Sequence, residues 1–219
     1  MIKGMIFDFD GTLFDSMPFW YRLPFDYLRR QGIEPADDIF ETVKTLTLPQ
    51  AAEYFIHQYD LPKDVPQIMQ ETAQMIMDMY RYQILPKPCV PQLLETLSHH
   101  DVRMCIATAT DRPMIEAALK RTGLDRYFSA IFTCTETGSS KTESKIYEEA
   151  RAALGTDRQR TAVAEDAFHA AKTAREAGFT VIGIRDASEQ QQEELKAVCD
   201  LYLTGFDEPG AFGKILELL

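Results

Sequence analysis

The chain has 219 residues, with 34 acidic against 23 basic side chains, and its formal net charge is −11. This length is expected for one domain that carries an insertion, and a hydrophobic fraction of 45% is ample for a buried core. The negative charge argues against nucleic acids and anionic membranes as partners, and an anionic substrate would need a local positive site.

The sequence contains no signal for export or for a membrane span. The N-terminus lacks a basic and apolar signal pattern, and no apolar run approaches the roughly 20 residues that a transmembrane helix needs. The cysteines lie far apart and form no CxxC pair (Cys89, Cys105, Cys134 and Cys199). We therefore expect a cytoplasmic protein with free thiols.

The apolar run at residues 5–9 predicts a strand that is buried on both faces. Asp8 lies within this run, Asp10 follows it, and Gly11 and Thr12 end it. The carboxyl end of such a strand is where open α/β sheets bind their ligands. Two carboxylates there repel each other unless a cation or a shared proton intervenes. The pattern therefore indicates a divalent ion such as Mg²⁺, held together with a phosphate, in preference to an acidic surface turn.

The sequence DFDGTL at residues 8–13 resembles the first motif of the haloacid dehalogenase-like superfamily, in subfamily I, whose members carry a helical cap. The resemblance implies that Asp8 is the nucleophile that becomes an aspartyl-phosphate, and that Asp10 is the general acid and base. The haloacid dehalogenases of this superfamily lack the second aspartate. Asp10 therefore implies a phosphatase or a phosphotransferase.

The next segment, of roughly seventy residues, has helical periodicity and no convincing strand. Breaks at Gly32, Pro49 and Pro62 separate the helical stretches, and the Pro-Lys-Pro sequence at residues 86–88 indicates a stiff return linker. We predict a helical cap domain over residues 17–86, inserted into an α/β core of residues 1–16 and 87–219.

Strands and helices alternate after the linker. Apolar runs predict strands over 102–107, 130–134, 161–164, 180–184 and 201–203. Helical spacing predicts helices over 93–97, 113–121, 143–154, 170–177, 189–198 and 210–219. This alternation predicts an α/β fold with a doubly wound parallel sheet, a Rossmann-like core that carries the α-helical cap.

The strand that ends at Thr108 matches the second motif of the family. The resemblance implies that the Thr108 hydroxyl and the backbone N–H of Ala109 bind the phosphate, with Thr110 as the alternative hydroxyl. A strand end followed by a helix start is a suitable anion cradle. Ordinary helix capping by Thr110 or Asp111 is the other interpretation of this segment.

The third motif of the family reads Lys-Pro-x-Pro-x-x-Tyr/Phe in this branch. Lys141 and Tyr147 match its spacing, although Thr142 and Ser144 replace the prolines. The resemblance implies that Lys141 neutralises the nucleophile and the phosphate, because an ammonium group acts there as a compact charge. Lys145 is the alternative.

Glu165 and Asp166 end the next predicted strand, as in the fourth motif. The resemblance implies that Asp166 completes a magnesium shell with Asp8 and the backbone oxygen of Asp10, and that Glu165 binds the ion directly or through water. The usual Ser-x-x-Gly continuation is absent. His169 occupies that stretch, as a candidate substrate contact or as an ordinary structural histidine.

Four motifs in order predict a Mg²⁺-dependent phosphatase that hydrolyses a small phosphorylated metabolite through an aspartyl-phosphate. We expect a monomer or a weak homodimer. Two alternatives stay open. A sugar-phosphate mutase of the β-phosphoglucomutase kind would return the phosphoryl group to its substrate, and a catalytically silent binding protein would keep only the fold. No cap residue is diagnostic of the substrate.

Overall fold

The computed structural model describes residues 1–44 and 46–219, which form two compact units. One unit comprises Met1–Ser16 and Leu85–Leu219, and the other comprises Met17–Ile84. The helices, in chain order, are α1 (Met17–Arg30), α2 (Ile39–Val43), α3 (Leu48–Tyr59), α4 (Val65–Tyr82), α5 (Val90–His99), α6 (Arg112–Thr122), α7 (Cys134–Thr137), α8 (Lys145–Leu154), α9 (Phe168–Glu176), α10 (Gln192–Val198) and α11 (Ala211–Leu216). Among these helices, none combines the length and the apolar character that a membrane span requires.

The larger unit is built on a six-stranded parallel sheet, and the predicted fold class is confirmed. The strands are β1 (Gly4–Phe7), β2 (Arg103–Thr108), β3 (Ile131–Thr133), β4 (Thr161–Glu165), β5 (Thr180–Ile184) and β6 (Leu201–Leu203). Their order in the sheet is β3-β2-β1-β4-β5-β6. The chain therefore proceeds outward from β1 in one direction and then starts again on its other side. The topological switch point, where such sheets bind ligands, lies beside β1.

The core on one face of the sheet forms where small and β-branched residues of the central strands meet two helices. Ile6, Cys105 and Val163 come from β1, β2 and β4, and all three side chains are fully buried. Tyr147 of α8 and Ala174 of α9 belong to the same cluster. Alternate residues of β1 point to the opposite face, where the ring of Phe7 contacts that of Phe128 edge-on at 6.2 Å.

Two boundaries differ from the predictions for a local reason. The predicted strand over 130–134 ends at Thr133, because the Thr133 side chain accepts a hydrogen bond from the backbone N–H of Glu136 and starts the short α7. Cys134 is therefore helical. The predicted helix over 189–198 begins only at Gln192, because the Glu189 side chain accepts the backbone N–H groups of Phe168 and Gln191 and holds a turn.

The smaller unit, over residues 17–44 and 46–84, contains α1 to α4. Capping boxes start α3 at Thr47 and α4 at Asp64, which satisfies backbone N–H groups that would otherwise lack partners. Inside the unit, the Tyr27 hydroxyl donates to Glu71, and Lys63 pairs with the same carboxylate. These contacts fix α1 against α4 through polar as well as apolar side chains.

The two connections to this helical segment run side by side in the larger unit. Phe14 forms an antiparallel bridge with Pro86, the Asp15 N–H donates to the Leu85 carbonyl, and the Lys87 N–H donates to that of Leu13. The Lys87 ammonium also forms a partly buried ion pair with Asp186 at 2.8 Å. The return linker is thereby attached to the loop after β5.

Candidate active site

The predicted site residues lie where the carboxyl ends of the three central strands meet. Phe7 pairs with Ile106 of β2 on one side and with Ala164 of β4 on the other. The next residue, Asp8, donates its backbone N–H to the Ala164 carbonyl at 2.9 Å. This register places the Asp8 carboxylate between the ends of β2 and β4.

Lys141 joins two carboxylates in the interior of this site. Its ammonium group forms an ion pair with Asp8 and donates to Oε1 of Glu165 at 2.8 Å. The Tyr147 hydroxyl donates to the same Glu165 oxygen at 2.7 Å. The Lys141 side chain is only 7% exposed, whereas that of Lys145 is 52% exposed and donates to the Thr137 carbonyl. The structure therefore brings Lys141, and not Lys145, to Asp8.

Three carboxylates converge beside this lysine. Asp8, Glu165 and Asp166 each offer one oxygen, and these oxygens all lie within 4.8 Å of one another. Oε2 of Glu165 is buried and has no hydrogen-bond partner among the described residues. A buried, unpaired carboxylate oxygen is costly unless a cation binds it. The donor set consists of hard oxygens, which suits Mg²⁺ or another hard divalent ion.

The proton affinities of these groups show the same excess of negative charge. Burial raises the pKa of Glu165 to about 7, and the negative charge of Asp8 acts in the same direction. The positive charge of Lys141 opposes this rise but does not cancel it. Burial and the charges of Asp8 and Glu165 raise the pKa of Asp166 well above its usual value. Burial disfavours the charge on Lys141, but its two carboxylate partners outweigh this effect and raise the pKa of its ammonium group. The single positive charge of Lys141 therefore does not neutralise the three carboxylates of the cluster.

The turn after β1 fits closely around the Asp166 carboxylate. Gly11 has φ of +77°, and a Cβ atom at this position would lie 2.1 Å from Oδ2 of Asp166. The Thr12 hydroxyl donates to Oδ1 of the same residue at 3.0 Å. Gly11 and Thr12, which end the predicted strand, therefore have a second structural role that the sequence alone did not show. They let the turn approach the Asp166 carboxylate, directly after β4, and hold it.

Asp10 lies at the edge of the cluster with a partner of its own. The Thr110 hydroxyl donates to Oδ2 of Asp10 at 2.5 Å, and the Thr110 backbone N–H donates to the Thr108 hydroxyl at 3.1 Å. Thr108 is buried, and Ala109 lies exposed between the two threonines. Thr110 was predicted only to bind phosphate or to cap a helix, and its contact with Asp10 was not predicted. The sequence feature that could have indicated this contact is the pair Thr108 and Thr110, two hydroxyl residues at the end of the strand that lies beside β1.

His169 lies in the first turn of α9 and is exposed. It is not a member of the acidic cluster. The structure does not bring its side chain to Asp8 or to Asp166 through any hydrogen bond or ion pair within residues 1–44 and 46–219. It therefore adds no group to the site described above.

The chain is similar to several known proteins. The chain is 24% identical over 183 residues to the fructose-1-phosphate phosphatase YqaB of Escherichia coli, which covers 83% of this chain and 96% of that protein. It is 26% identical over 221 residues to the protein CbbY of Cereibacter sphaeroides, with 96% and 95% covered. The crystal structure of a candidate β-phosphoglucomutase from Thermotoga maritima has the same fold, with a TM-score of 0.87, 17% identity and full coverage of both chains.

A family model also matches most of the chain. The model of the family described as haloacid dehalogenase-like hydrolase matches residues 5–184, from β1 through β5. This span contains every residue of the acidic cluster, Lys141 and the intervening helical unit. The chain belongs to the haloacid dehalogenase-like hydrolase family.

Proposed function

We propose that the protein is a Mg²⁺-dependent phosphatase that hydrolyses a small phosphorylated sugar through an aspartyl-phosphate intermediate. The observation that carries this proposal is the buried pairing of Asp8 with Lys141 inside a cluster of three carboxylates at the switch point of the sheet. Support for the substrate class comes from YqaB, a relative whose name specifies fructose 1-phosphate. The test is release of inorganic phosphate from a panel of phosphorylated sugars.

In this proposal Asp8 is the nucleophile. One of its carboxylate oxygens attacks the phosphorus in line, the bond from phosphorus to the sugar oxygen breaks, and the electron pair stays on that oxygen. Lys141 stabilises the negative charge around the transferred group, and Thr108 and the backbone N–H of Ala109 bind its non-bridging oxygens. This step leaves the phosphoryl group on Asp8.

Asp10 moves the proton in both steps. Its protonated carboxyl gives a proton to the leaving sugar oxygen, and the resulting carboxylate then takes a proton from the water that attacks the aspartyl-phosphate. The second step releases inorganic phosphate and regenerates Asp8 and the acid form of Asp10. Thr110 donates a 2.5 Å hydrogen bond to one Asp10 oxygen, which would hold the carboxyl in one orientation.

Mg²⁺ would be held by Asp8, Asp166, the backbone oxygen of Asp10 and, directly or through water, Glu165. When bound, the ion would neutralise charge on the phosphate and on the cluster. The unpaired Oε2 of Glu165 and the raised pKa of Asp166 both fit a site that is completed by a cation. The monomeric or weakly dimeric state and the cytoplasmic location stay predictions.

Magnesium should stabilise the folded protein more at pH 8 than at pH 5.5. The pKa of Glu165 is raised to about 7, and that of Asp166 is raised as well, so the metal-free folded state binds more protons than the unfolded chain from the ordinary carboxyl pKa up to about pH 7. The stability of the metal-free protein should therefore fall as the pH rises through this window. Within this window protons compete with the ion for the carboxylates, and the stabilisation by Mg²⁺ should grow above it.

Thermal unfolding with Mg²⁺ and with chelator, at both pH values, measures this difference. The Glu165→Gln variant serves as the control, because it removes the acidic group whose pKa is raised to about 7 and should reduce the pH dependence to the part that Asp166 contributes. Full phosphatase activity in chelator, or no shift of the unfolding temperature by Mg²⁺ at either pH, would contradict the magnesium assignment.

A further inference from the structure

Three cationic residues stand in a row at the end of the sheet opposite to the acidic cluster. Lys3 precedes β1, Arg103 begins β2, and Arg160 precedes β4. The Arg103 N–H donates to the Lys3 carbonyl at 3.0 Å, and the Lys3 N–H donates to the Arg160 carbonyl at 2.8 Å. Adjacent strands lie about 4.8 Å apart, so the three positive side chains start from neighbouring backbone positions.

These residues line one cavity of about 250 Å³. Its walls come from the starts of the three strands and from the turns after α5 and α8 (Lys3, Asp101, Arg103, Gly155, Thr156, Asp157 and Arg160). Three cationic side chains and two carboxylates, those of Asp101 and Asp157, thus line the same cavity. The Arg103 guanidinium donates to the Gly155 carbonyl at 3.1 Å, which fixes one of the cations against the wall.

The other two cations have no ionic partner in the part of the chain that the structure describes. Neither Lys3 nor Arg160 forms an ion pair or a side-chain hydrogen bond within residues 1–44 and 46–219. The chain as a whole carries 34 acidic residues against 23 basic ones. Adjacent like charges on neighbouring strands are unfavourable, and an anion between them would remove this repulsion.

We propose that this cavity is a second anion site, which binds the phosphate group of a small phosphorylated molecule. Arg103 and the free ammonium and guanidinium groups of Lys3 and Arg160 would contact the phosphate oxygens. Asp101 and Asp157 would accept hydrogen bonds from hydroxyl groups, so the site favours a phosphorylated sugar over inorganic phosphate.

The site is separate from the proposed active site. Asp8 follows Lys3 by five positions of extended chain, which corresponds to about 16 Å along the strand. Both sites are thus able to hold an anion at the same time. The inference does not depend on the proposed catalytic function, since none of the cavity residues takes part in it.

The test is a titration of ¹⁵N-labelled protein in chelator, with inorganic phosphate and then glucose 6-phosphate as probes, followed by amide chemical shifts. We expect the amides of residues 155–160 to shift with either probe and to saturate at lower concentrations of glucose 6-phosphate. Amides of Gly11 and Thr110 report separately on the opposite edge of the sheet. No shift in residues 155–160 with either probe would overturn the site, and equal affinity for the two probes would overturn the preference for a sugar.

Two variants make the assignment specific. Lys3→Ala and Arg160→Ala each remove a cation without breaking an ion pair or a side-chain hydrogen bond in the described chain, and each should weaken binding at this site by about tenfold. Lys120→Ala, which removes an exposed helix cation outside the cavity, should leave it unchanged. Equal weakening by all three variants, or by none, would contradict the proposal.

Discussion

Replacing Asp8 by asparagine should lower the rate of phosphate release by about 10⁴-fold or more, the range seen when a covalent nucleophile is removed. The amide keeps the shape of the side chain but cannot form the acyl-phosphate bond. The fold should survive, because Lys141 keeps its 2.8 Å contact with Glu165 and the cluster loses one of its repelling charges. Steady-state phosphate release and the unfolding temperature, measured on the same preparation, separate these two effects.

Asp15→Asn is the matched control for this variant. Asp15 is an exposed acidic residue of the same segment, and its amide should leave turnover within about twofold of the parent. Asp10→Asn should cost about 10² to 10⁴-fold, since it removes the acid and base but not the nucleophile. If Asp8→Asn retained the parent rate, the covalent mechanism would be wrong.

Replacing Lys141 by alanine should lower turnover by about 10² to 10³-fold, whereas Lys145→Ala should have little effect. Lys141 is buried between Asp8 and Glu165, so its removal leaves neighbouring carboxylates without their cation. Lys145 is half exposed, and its contacts are with a backbone carbonyl and a surface glutamate. Parallel kinetics on the two variants compare the same chemical change at a buried and at an exposed position.

The Lys141 variant should also be less stable by about 3 kcal/mol in chelator, the size expected when one partner of a buried ion pair is removed. Mg²⁺ should restore part of that loss, because the ion supplies positive charge to the same carboxylates. A variant pattern in which Lys145→Ala is the damaging change would show that the lysine of the third motif had been misaligned.

The fold class followed from features that are local in the chain. The apolar run around Asp8 and the regular alternation after Pro88 each report on a single element, and parallel order is nearly forced by that alternation. The helical periodicity of residues 17–86 is an equally local feature, since periodicity needs no knowledge of distant residues. The ends of elements, such as those at Thr133 and Gln192, were harder to predict from the sequence. Side-chain hydrogen bonds near these positions determine where the strand ends and where the helix begins.

The finer structure of the site depends on which strands become neighbours. Thr110 lies far from Asp10 in the chain, and only the adjacency of β2 and β1 brings its hydroxyl to that carboxylate. The choice between Lys141 and Lys145 was open because the prolines of the motif are missing. In the structure, Gly138 at φ +61° ends α7, and the following turn returns Lys141 to the sheet. The neighbouring positions of Lys3, Arg103 and Arg160 at the opposite end of the sheet also depend on which strands pair, since β1 lies between β2 and β4.

The most direct test of the account is a ³¹P NMR time course with the parent protein, Mg²⁺ and single phosphorylated sugars, starting with fructose 1-phosphate. For a Mg²⁺-dependent phosphatase, we expect the inorganic phosphate signal to grow mole for mole as the monoester signal declines, and chelator to stop both changes. Appearance of an isomeric sugar phosphate with little inorganic phosphate would contradict it in favour of a mutase. Unchanged spectra with every sugar phosphate would contradict it in favour of a silent binding protein.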